Sequence, residues 1–407
     1  MGCILNIQDQ LTPRYVYTER EFFPRIEPMS AQENRMPSFM TIDNASDIRA
    51  RANTPRFHLG HRPALDGLRA FAVLIVMAHH GYLPLFGGGS IGVDVFFVLS
   101  GFLITSLLLE EWVKTAGISF RNFYMRRALR LLPALIFFLL FVEAYSLGVL
   151  RGPRMLETQK AILAVLLYVG NWFSILKPDG LGPLAHTWSL SIEEQFYLLW
   201  PPMLLLLLRF RLRAFRIVAA IVLLVGAVAV HRAMLWTGPQ SLWRIYNGLD
   251  TRIDELLAGC GFAVACAAGW MNLSLLRGLV RYSYLPAVAL ILSLVARPLP
   301  PQIMYRFGWP VVELCLVVIL FRLIAWDKTA LHKVLEIPAL VWIGRLSYGL
   351  YLWHYPIFEK LGGWNALGLL RVPLACVFTF AIATASFYFV EKPFLRLKSR
   401  YESPGIS

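Results

Sequence analysis

The chain has 407 residues, of which 57% are hydrophobic and only 16% are charged. Soluble domains carry about a quarter charged residues, so this composition excludes a set of ordinary soluble domains and indicates an integral membrane protein. The formal net charge of +14 does not indicate nucleic-acid binding, because the basic residues cluster in short loops between apolar segments. The five cysteines are scattered, so we expect neither a disulfide framework nor a metal site.

The two ends of the chain differ from its apolar middle. Residues 1–60 are polar, mixed in charge and without a periodic apolar face, so we expect a disordered cytoplasmic tail. The segment lacks the pattern of a signal peptide, and Met36 or Met40 is an alternative start of translation. A membrane domain is predicted over 61–397, followed by a short cytoplasmic tail over 398–407.

Ten apolar segments approach the length of about 20 residues that a helix needs to cross the hydrocarbon core. They are 66–85, 92–111, 131–150, 190–208, 215–234, 252–269, 279–297, 308–325, 340–360 and 371–390. The basic loops all face one side only if a further short segment, 161–176, does not cross. We therefore predict an all-α fold of ten spans with both termini inside, and a re-entrant or interfacial helix at 161–176.

Two ionisable residues of the first predicted span mark a candidate site, because such groups cost free energy inside a bilayer. Arg69 and His80 are separated by about 16 Å along a helix, which places Arg69 at the cytoplasmic surface and His80 near the midplane. Histidine suits general-base catalysis because its proton affinity lies close to neutrality. The alternatives are an anchoring role for Arg69 and a structural role for His80; His79 is the second candidate.

The segment SFRNFYMRRALRLLP carries a cluster of arginines directly before the third predicted span. Arg127 and Arg130 are three residues apart and therefore neighbours on one helical face. Together they could hold phosphate groups, while Arg126 lies beside them. A basic loop that only sets the topology is the alternative.

Two adjacent carboxylates, Glu193 and Glu194 of HTWSLSIEEQFYLLWP, enter the fourth predicted span from the outer side. We expect one of them to pair with Arg252 of NGLDTRIDELLAG, which enters from the same side. A structural ion pair and a catalytic or substrate-binding role are both open.

The segment RLSYGLYLWHYPIF places His354 in the outer half of the ninth predicted span, where it is a further candidate site residue. The aromatic residues Trp353, Tyr355 and Trp364 are predicted to belong to the belt at the membrane interface.

These segments together resemble the acyltransferase-3 family of membrane O-acyltransferases. The family pattern Arg-x10-His is matched by Arg69 and His80 in ALDGLRAFAVLIVMAHH. The motifs GVDVFFVLSGFLI, RRALRLLP, WSLSIEEQFYLLWP, SYGLYLWHYP and VEKPF follow in family order, so the resemblance covers roughly residues 61–397. Lys392 stands where the family more commonly has arginine, which is a mild change.

The resemblance implies transfer of an acetyl or related short acyl group, such as succinyl, from cytoplasmic acyl-CoA to a hydroxyl of a carbohydrate. It implies that Arg69 and His80 are essential and that Arg127 and Arg130 handle the donor. His80 would act as a general base or as a covalent carrier of the acyl group, and Glu193 or Glu194 would orient His80 or bind the acceptor. The further candidates for donor or substrate binding are Arg126, Asp94, Ser100, His354 and Arg252.

We therefore expect a multi-pass protein of the bacterial inner membrane with acetyl-CoA as donor substrate, a carbohydrate or lipid-linked glycan as acceptor, and no permanently bound cofactor. No nucleic-acid partner is expected. Some family members carry a soluble domain after the membrane part; this sequence ends soon after VEKPF, so we expect no second catalytic domain. A transporter without catalysis and a structural membrane subunit are the alternatives from other classes.

Overall fold

The computed structural model describes residues 59–326, 328–363, 365–397 and 401. The predicted tails therefore lie almost wholly outside the described residues. Every element within these ranges is helical, which confirms the predicted all-α class. The ten long helices of this part are α1 Pro63–His80, α2 Ile91–Thr115, α3 Phe120–Val149, α4 Trp188–Arg209, α5 Ala214–Leu235, α6 Leu249–Ala267, α7 Ser274–Ala296, α8 Trp309–Ala325, α9 Pro338–Gly362 and α10 Arg371–Ser386.

Each long helix overlaps one predicted span, but fewer are apolar enough to count as membrane-crossing by length and composition. Six stretches of the described chain meet that standard: Ile91–Thr115, Phe120–Val149, Ala214–Leu235, Ser274–Ala296, Pro301–Ala325 and Gly368–Leu397. The helices α1, α4, α6 and α9 do not, and they carry many of the ionisable residues singled out in the sequence. The chain is thus a multi-pass membrane protein, while the full count of ten spans stays a prediction.

Short elements connect the long helices. The short α-helices are Pro153–Leu166, Gly170–Leu176, Leu242–Asn247, Pro301–Ile303, Ala330–Leu335 and Lys392–Leu397. The 3₁₀ segments are Gly182–Thr187, Pro239–Ser241, Trp270–Asn272 and Asn365–Leu370, and the π segments are Met304–Gly308 and Phe387–Glu391.

The segment 161–176 is broken, as a non-crossing segment would be. It falls on two helices of 14 and 7 residues, which are separated at Tyr168, where φ is +54°. Either piece is shorter than the about 20 residues that a crossing helix needs. The re-entrant or interfacial placement of this segment in the membrane stays a prediction.

Helix α1 begins and ends differently from its predicted bounds. Pro63 occupies the first turn, where the missing N–H costs no hydrogen bond. The helix ends at His80, and the backbone of Tyr82 and Leu85 has φ of +53° and +67°, values that a helix cannot accommodate. The prediction that this helix continues to residue 85 is therefore wrong, because His80 is its last residue; the position of His80 near the membrane midplane stays a prediction.

Glycines allow the helices around α1 to approach closely. A Cβ on Gly101 of α2 would lie 1.9 Å from the carbonyl oxygen of Leu256 in α6, and a Cβ on Gly344 of α9 would lie 1.9 Å from that of Asp66 in α1. Small residues permit such contacts between membrane helices, where packing rather than the hydrophobic effect drives association. This packing holds the helices that carry the candidate site against one another.

Candidate functional site

A small cavity of about 80 Å³, here called the arginine cavity, lies among five of the long helices. Its polar lining is contributed by α1, α2, α3, α4 and α9. These residues are Arg69, Ser100, Arg127, Arg130, Ser189, Glu193, Tyr197, Ser347, Tyr348 and Tyr351. Three guanidinium groups against one carboxylate give the lining an excess of positive charge, which favours an anionic ligand.

Contacts among the lining residues hold these charges in place. The hydroxyl of Ser100 donates to Glu193 over 2.6 Å. The guanidinium of Arg127 lies 3.6 Å from the centre of the Tyr197 ring and 3.9 Å from a carboxylate oxygen of Glu194. Its Nε is buried and has no hydrogen-bond partner among the described residues. A buried donor without a partner is costly, so a ligand that accepts from Arg127 would relieve this cost.

The other end of α1 opens on a second, larger cavity of about 300 Å³, here called the histidine cavity. The residues that line it are His80, Gly81, Tyr82, Tyr355, Phe358, Glu359, Gly362, Arg371, Val372 and Ala375. Its volume is at the lower end of the range for small-molecule pockets. The Arg-x10-His pattern thus places its arginine in one cavity and its histidine in the other.

The hydrogen bonds of His80 define which ring nitrogen is free. Nδ1 of His354 faces the carbonyl oxygen of Tyr351 at 2.6 Å, so this nitrogen carries the proton and Nε2 accepts in the neutral ring. Nδ1 of His80 lies 3.1 Å from that Nε2 and 3.1 Å from the carbonyl oxygen of Val76. Both partners accept, so His80 is protonated on Nδ1, and its Nε2 retains the lone pair that a general base needs.

A wall of hydrogen-bonded side chains separates the two cavities. The hydroxyl of Tyr351, which lines the arginine cavity, lies 2.6 Å from that of Ser189 and 2.8 Å from the carbonyl oxygen of His186. His354, one helical turn further along α9, contacts His80. One turn of α9 therefore lies between the two cavities.

A third group of charges lies apart from both cavities. Arg252 pairs with Asp94 and, over 2.9 Å, with Glu255. The predicted pairing of Arg252 with Glu193 or Glu194 is wrong, because those carboxylates face Ser100 and Arg127 instead. Asp94 and Arg252 therefore do not join the other predicted binding residues.

Three carboxylates near Arg252 have the spacing of a possible cation site. Asp254, Glu255 and Glu313 each offer one oxygen, and these oxygens lie within 4.8 Å of one another. Arg232 lies 2.7 Å from Asp254 and 4.0 Å from Glu313. Guanidinium groups thus already supply positive charge at this cluster.

Several predicted residues have positions other than those expected. Arg69 lies six residues into α1 and lines the arginine cavity, while its predicted position at the cytoplasmic membrane surface stays a prediction. Arg126 points elsewhere and pairs with Glu111 over 3.3 Å. Glu193 and Glu194 do not orient His80, since the contacts of its ring nitrogen come from Val76 and His354.

The prediction of an aromatic belt is wrong for Trp353, which is buried against three phenylalanine rings of α3. Tyr355 packs edge-on against His80, with ring centres 5.0 Å apart, and the side chain of Trp364 lies outside the described residues. Nδ1 of His79 donates to the carbonyl oxygen of Phe86 over 3.1 Å. His79 is therefore not among the residues that contact Nδ1 of His80.

Sequence reasoning missed His186, Ser189, Tyr197 and Tyr351. His186 is buried, and its ring stacks on Tyr355 at 5.1 Å. A histidine just before the apolar fourth span was a usable signal, because ionisable groups near spans are costly unless they have a role. The tyrosines gave no such signal, since aromatic residues are common in membrane helices.

Comparison with known proteins places the chain among acyltransferases. Residues 62–388 match the acyltransferase domain family. The peptidoglycan O-acetyltransferase OatA of Listeria monocytogenes is 36% identical over 358 residues, which are 84% of this chain and 57% of that protein. The putative peptidoglycan O-acetyltransferase YrhL of Bacillus subtilis is 34% identical over 83% of this chain and 55% of its own length.

The O-acetyltransferase OatA of Staphylococcus aureus is 33% identical over 350 residues, which are 81% of this chain and 57% of that protein. The chain thus spans a little over half the length of the curated relatives it matches. No solved structure matches it.

Proposed function

Because the chain belongs to the acyltransferase domain family, we propose that it is a membrane O-acyltransferase. It transfers an acetyl or similar short acyl group from acyl-CoA to a hydroxyl of a carbohydrate. The observation that carries the proposal is the pair of cavities on α1, one lined by arginines and one by His80, with a single turn of α9 between them.

The arginine cavity receives the acyl donor in this proposal. CoA is anionic through its phosphates, and Arg127 and Arg130 present guanidinium groups on one face of α3, the arrangement that binds phosphate oxygens best. Arg69 adds a third positive charge from α1. The thioester, at the end of the flexible pantetheine arm, then reaches past the wall formed by Tyr351 and Ser189 to the acceptor hydroxyl beside Nε2 of His80.

His80 performs the proton transfer. Its Nε2 accepts the proton of the acceptor hydroxyl while that oxygen bonds to the thioester carbonyl carbon. The C–S bond then breaks, and the proton passes from His80 to the thiolate of CoA. In the alternative order His80 first takes the acyl group covalently and then gives it to the hydroxyl.

The orientation in the membrane follows from the basic loops. We propose that the arginine cavity faces the cytoplasm, where acyl-CoA is made, and that the histidine cavity faces the outside, with both termini cytoplasmic. The bundle covers residues 61–397 in the plasma membrane. The relatives named peptidoglycan O-acetyltransferases support a cell-wall or other exported glycan as acceptor.

The test uses the purified full-length protein in lipid nanodiscs with acetyl-CoA labelled in the acetyl group. Transfer of label to a glycan, followed by mass spectrometry of the product ester, is expected from the wild type. His80→Gln should bind acetyl-CoA as the wild type does but form ester about 10²–10⁴-fold more slowly. A variant that binds donor and still acetylates glycan at the wild-type rate would overturn the assignment of His80, and a wild type that only moves acetyl-CoA would favour a transporter.

A further inference from the structure

The mouth of the histidine cavity carries two charged side chains that acyl transfer itself does not use. Glu359 on α9 and Arg371 at the start of α10 both line the cavity and are both exposed. Within the described ranges neither forms a hydrogen bond or an ion pair. The carboxylate of Glu359 has only the electrostatic attraction of its neighbour Lys360, so it and the guanidinium of Arg371 keep their hydrogen-bonding groups available to a ligand.

The walls of the same cavity are aromatic. Tyr82 is 87% exposed and is held in a left-handed backbone conformation with φ of +53°. A bulky side chain adopts this conformation rarely, and such strain concentrates at ligand-binding sites. Tyr355 lies against His80 on the other side. Aromatic faces of this kind suit the C–H surface of a sugar ring, and a carboxylate suits its hydroxyl groups.

The floor of the cavity is closed by tight packing. A Cβ on Gly81 would lie 3.1 Å from the ring of Phe358 and 3.3 Å from the side chain of Val372. The cavity therefore ends at His80 and Gly81, while Arg371 and Glu359 stand at its opening. Both charges therefore belong to the exposed part of the cavity lining that also includes His80.

We propose that the histidine cavity is an acceptor subsite that selects a glycan bearing an anionic substituent. Arg371 binds the carboxylate or phosphate of the substituent, Glu359 accepts hydrogen bonds from ring hydroxyls, and Tyr82 and Tyr355 pack on the sugar. The volume of about 300 Å³ holds one sugar unit, with the anionic group left at the mouth. This inference rests on the proposed function for the role of His80.

The test compares glycans that differ in one charge. Equilibrium binding and acetyl transfer are measured for a muramic-acid oligosaccharide, which carries a carboxylate, and for a neutral chitin oligosaccharide of equal length. Wild type should prefer the first. Arg371→Gln should weaken binding of the carboxylate glycan and raise its KM by about tenfold, the size expected for one hydrogen-bonded charge, and leave the neutral glycan unchanged.

Arg306→Gln serves as the matched control, because Arg306 is also exposed and lies outside the cavity; it should change neither glycan. Glu359→Gln should raise KM for both glycans, since both carry ring hydroxyls. A lipid-linked diphosphate glycan identifies the source of the anion: a larger effect of Arg371→Gln there than on the carboxylate glycan assigns Arg371 to phosphate.

Measurements of glycan binding distinguish a failure of this inference from a failure of the proposed function. If binding of the carboxylate glycan depends on Arg371 but no acetyl is transferred by the wild type, the subsite stands and the proposed function fails. If the wild type transfers acetyl and Arg371→Gln keeps the wild-type preference among the three glycans, the subsite is overturned.

Discussion

The two cavities on α1 hold their charges in opposite ways. In the arginine cavity, Arg127 is fixed by the Tyr197 ring and by Glu194, and Glu193 is fixed by Ser100. At the mouth of the histidine cavity, Glu359 and Arg371 are exposed and form no hydrogen bond or close ion pair within the described chain, while His80 at the floor contacts Val76 and His354. Groups fixed before binding favour one ligand geometry, so the first cavity suits an invariant donor and the second a larger and more variable acceptor.

The largest expected effect comes from removing the base at the floor of the histidine cavity. Loss of a general base typically costs about 10²–10⁴-fold in rate, so His80→Gln should lower kcat by this factor and leave KM for acetyl-CoA unchanged. Steady-state kinetics in nanodiscs measure both constants. Nδ1 of His79 is hydrogen-bonded to Phe86 and not to the wall, so His79→Gln should lower kcat less than His80→Gln does. Equal losses of kcat in the two variants would contradict the assignment of the base to His80.

Substitution of an arginine that lines the arginine cavity should raise the KM for the acyl donor. Arg130→Ala removes one guanidinium from the cavity lining, and the loss of a charged hydrogen bond of about 1.5–3 kcal/mol predicts a rise in KM of about 10- to 100-fold. Arg126→Ala is the matched control: it removes an arginine four residues away that pairs with Glu111 outside the cavity. A rise of similar size in both variants would show that only the total charge of this loop matters.

A smaller effect on kcat is expected from substitution of His354 in the wall between the cavities. His354 accepts a hydrogen bond from Nδ1 of His80, so His354→Phe should lower kcat by about tenfold, the value of one such bond in a buried site. His354→Gln keeps an acceptor and should restore part of the rate. The account of the wall fails if phenylalanine and glutamine are equivalent, since the two differ in whether they can accept this bond.

Much of this arrangement was predictable from the sequence, and the remainder was not for identifiable reasons. The apolar segments predicted the position of each long helix, and the arginines before the third span were correctly expected on one helical face. The contact between His80 and His354 joins residues 274 positions apart, and no local pattern reports such a contact. Arg252 had several carboxylates within reach, and only the close packing of α2 on α6 at Gly101 places Asp94 beside it.

Sidedness in sealed vesicles tests the central claim most directly. Full-length protein is reconstituted, its orientation is established by protease protection, and labelled acetyl-CoA and glycan are placed on the same or opposite sides. The account predicts that ester forms only when acetyl-CoA is on the side of the arginine cavity and glycan on the side of the histidine cavity. Equal ester formation with both substrates on one side would contradict it.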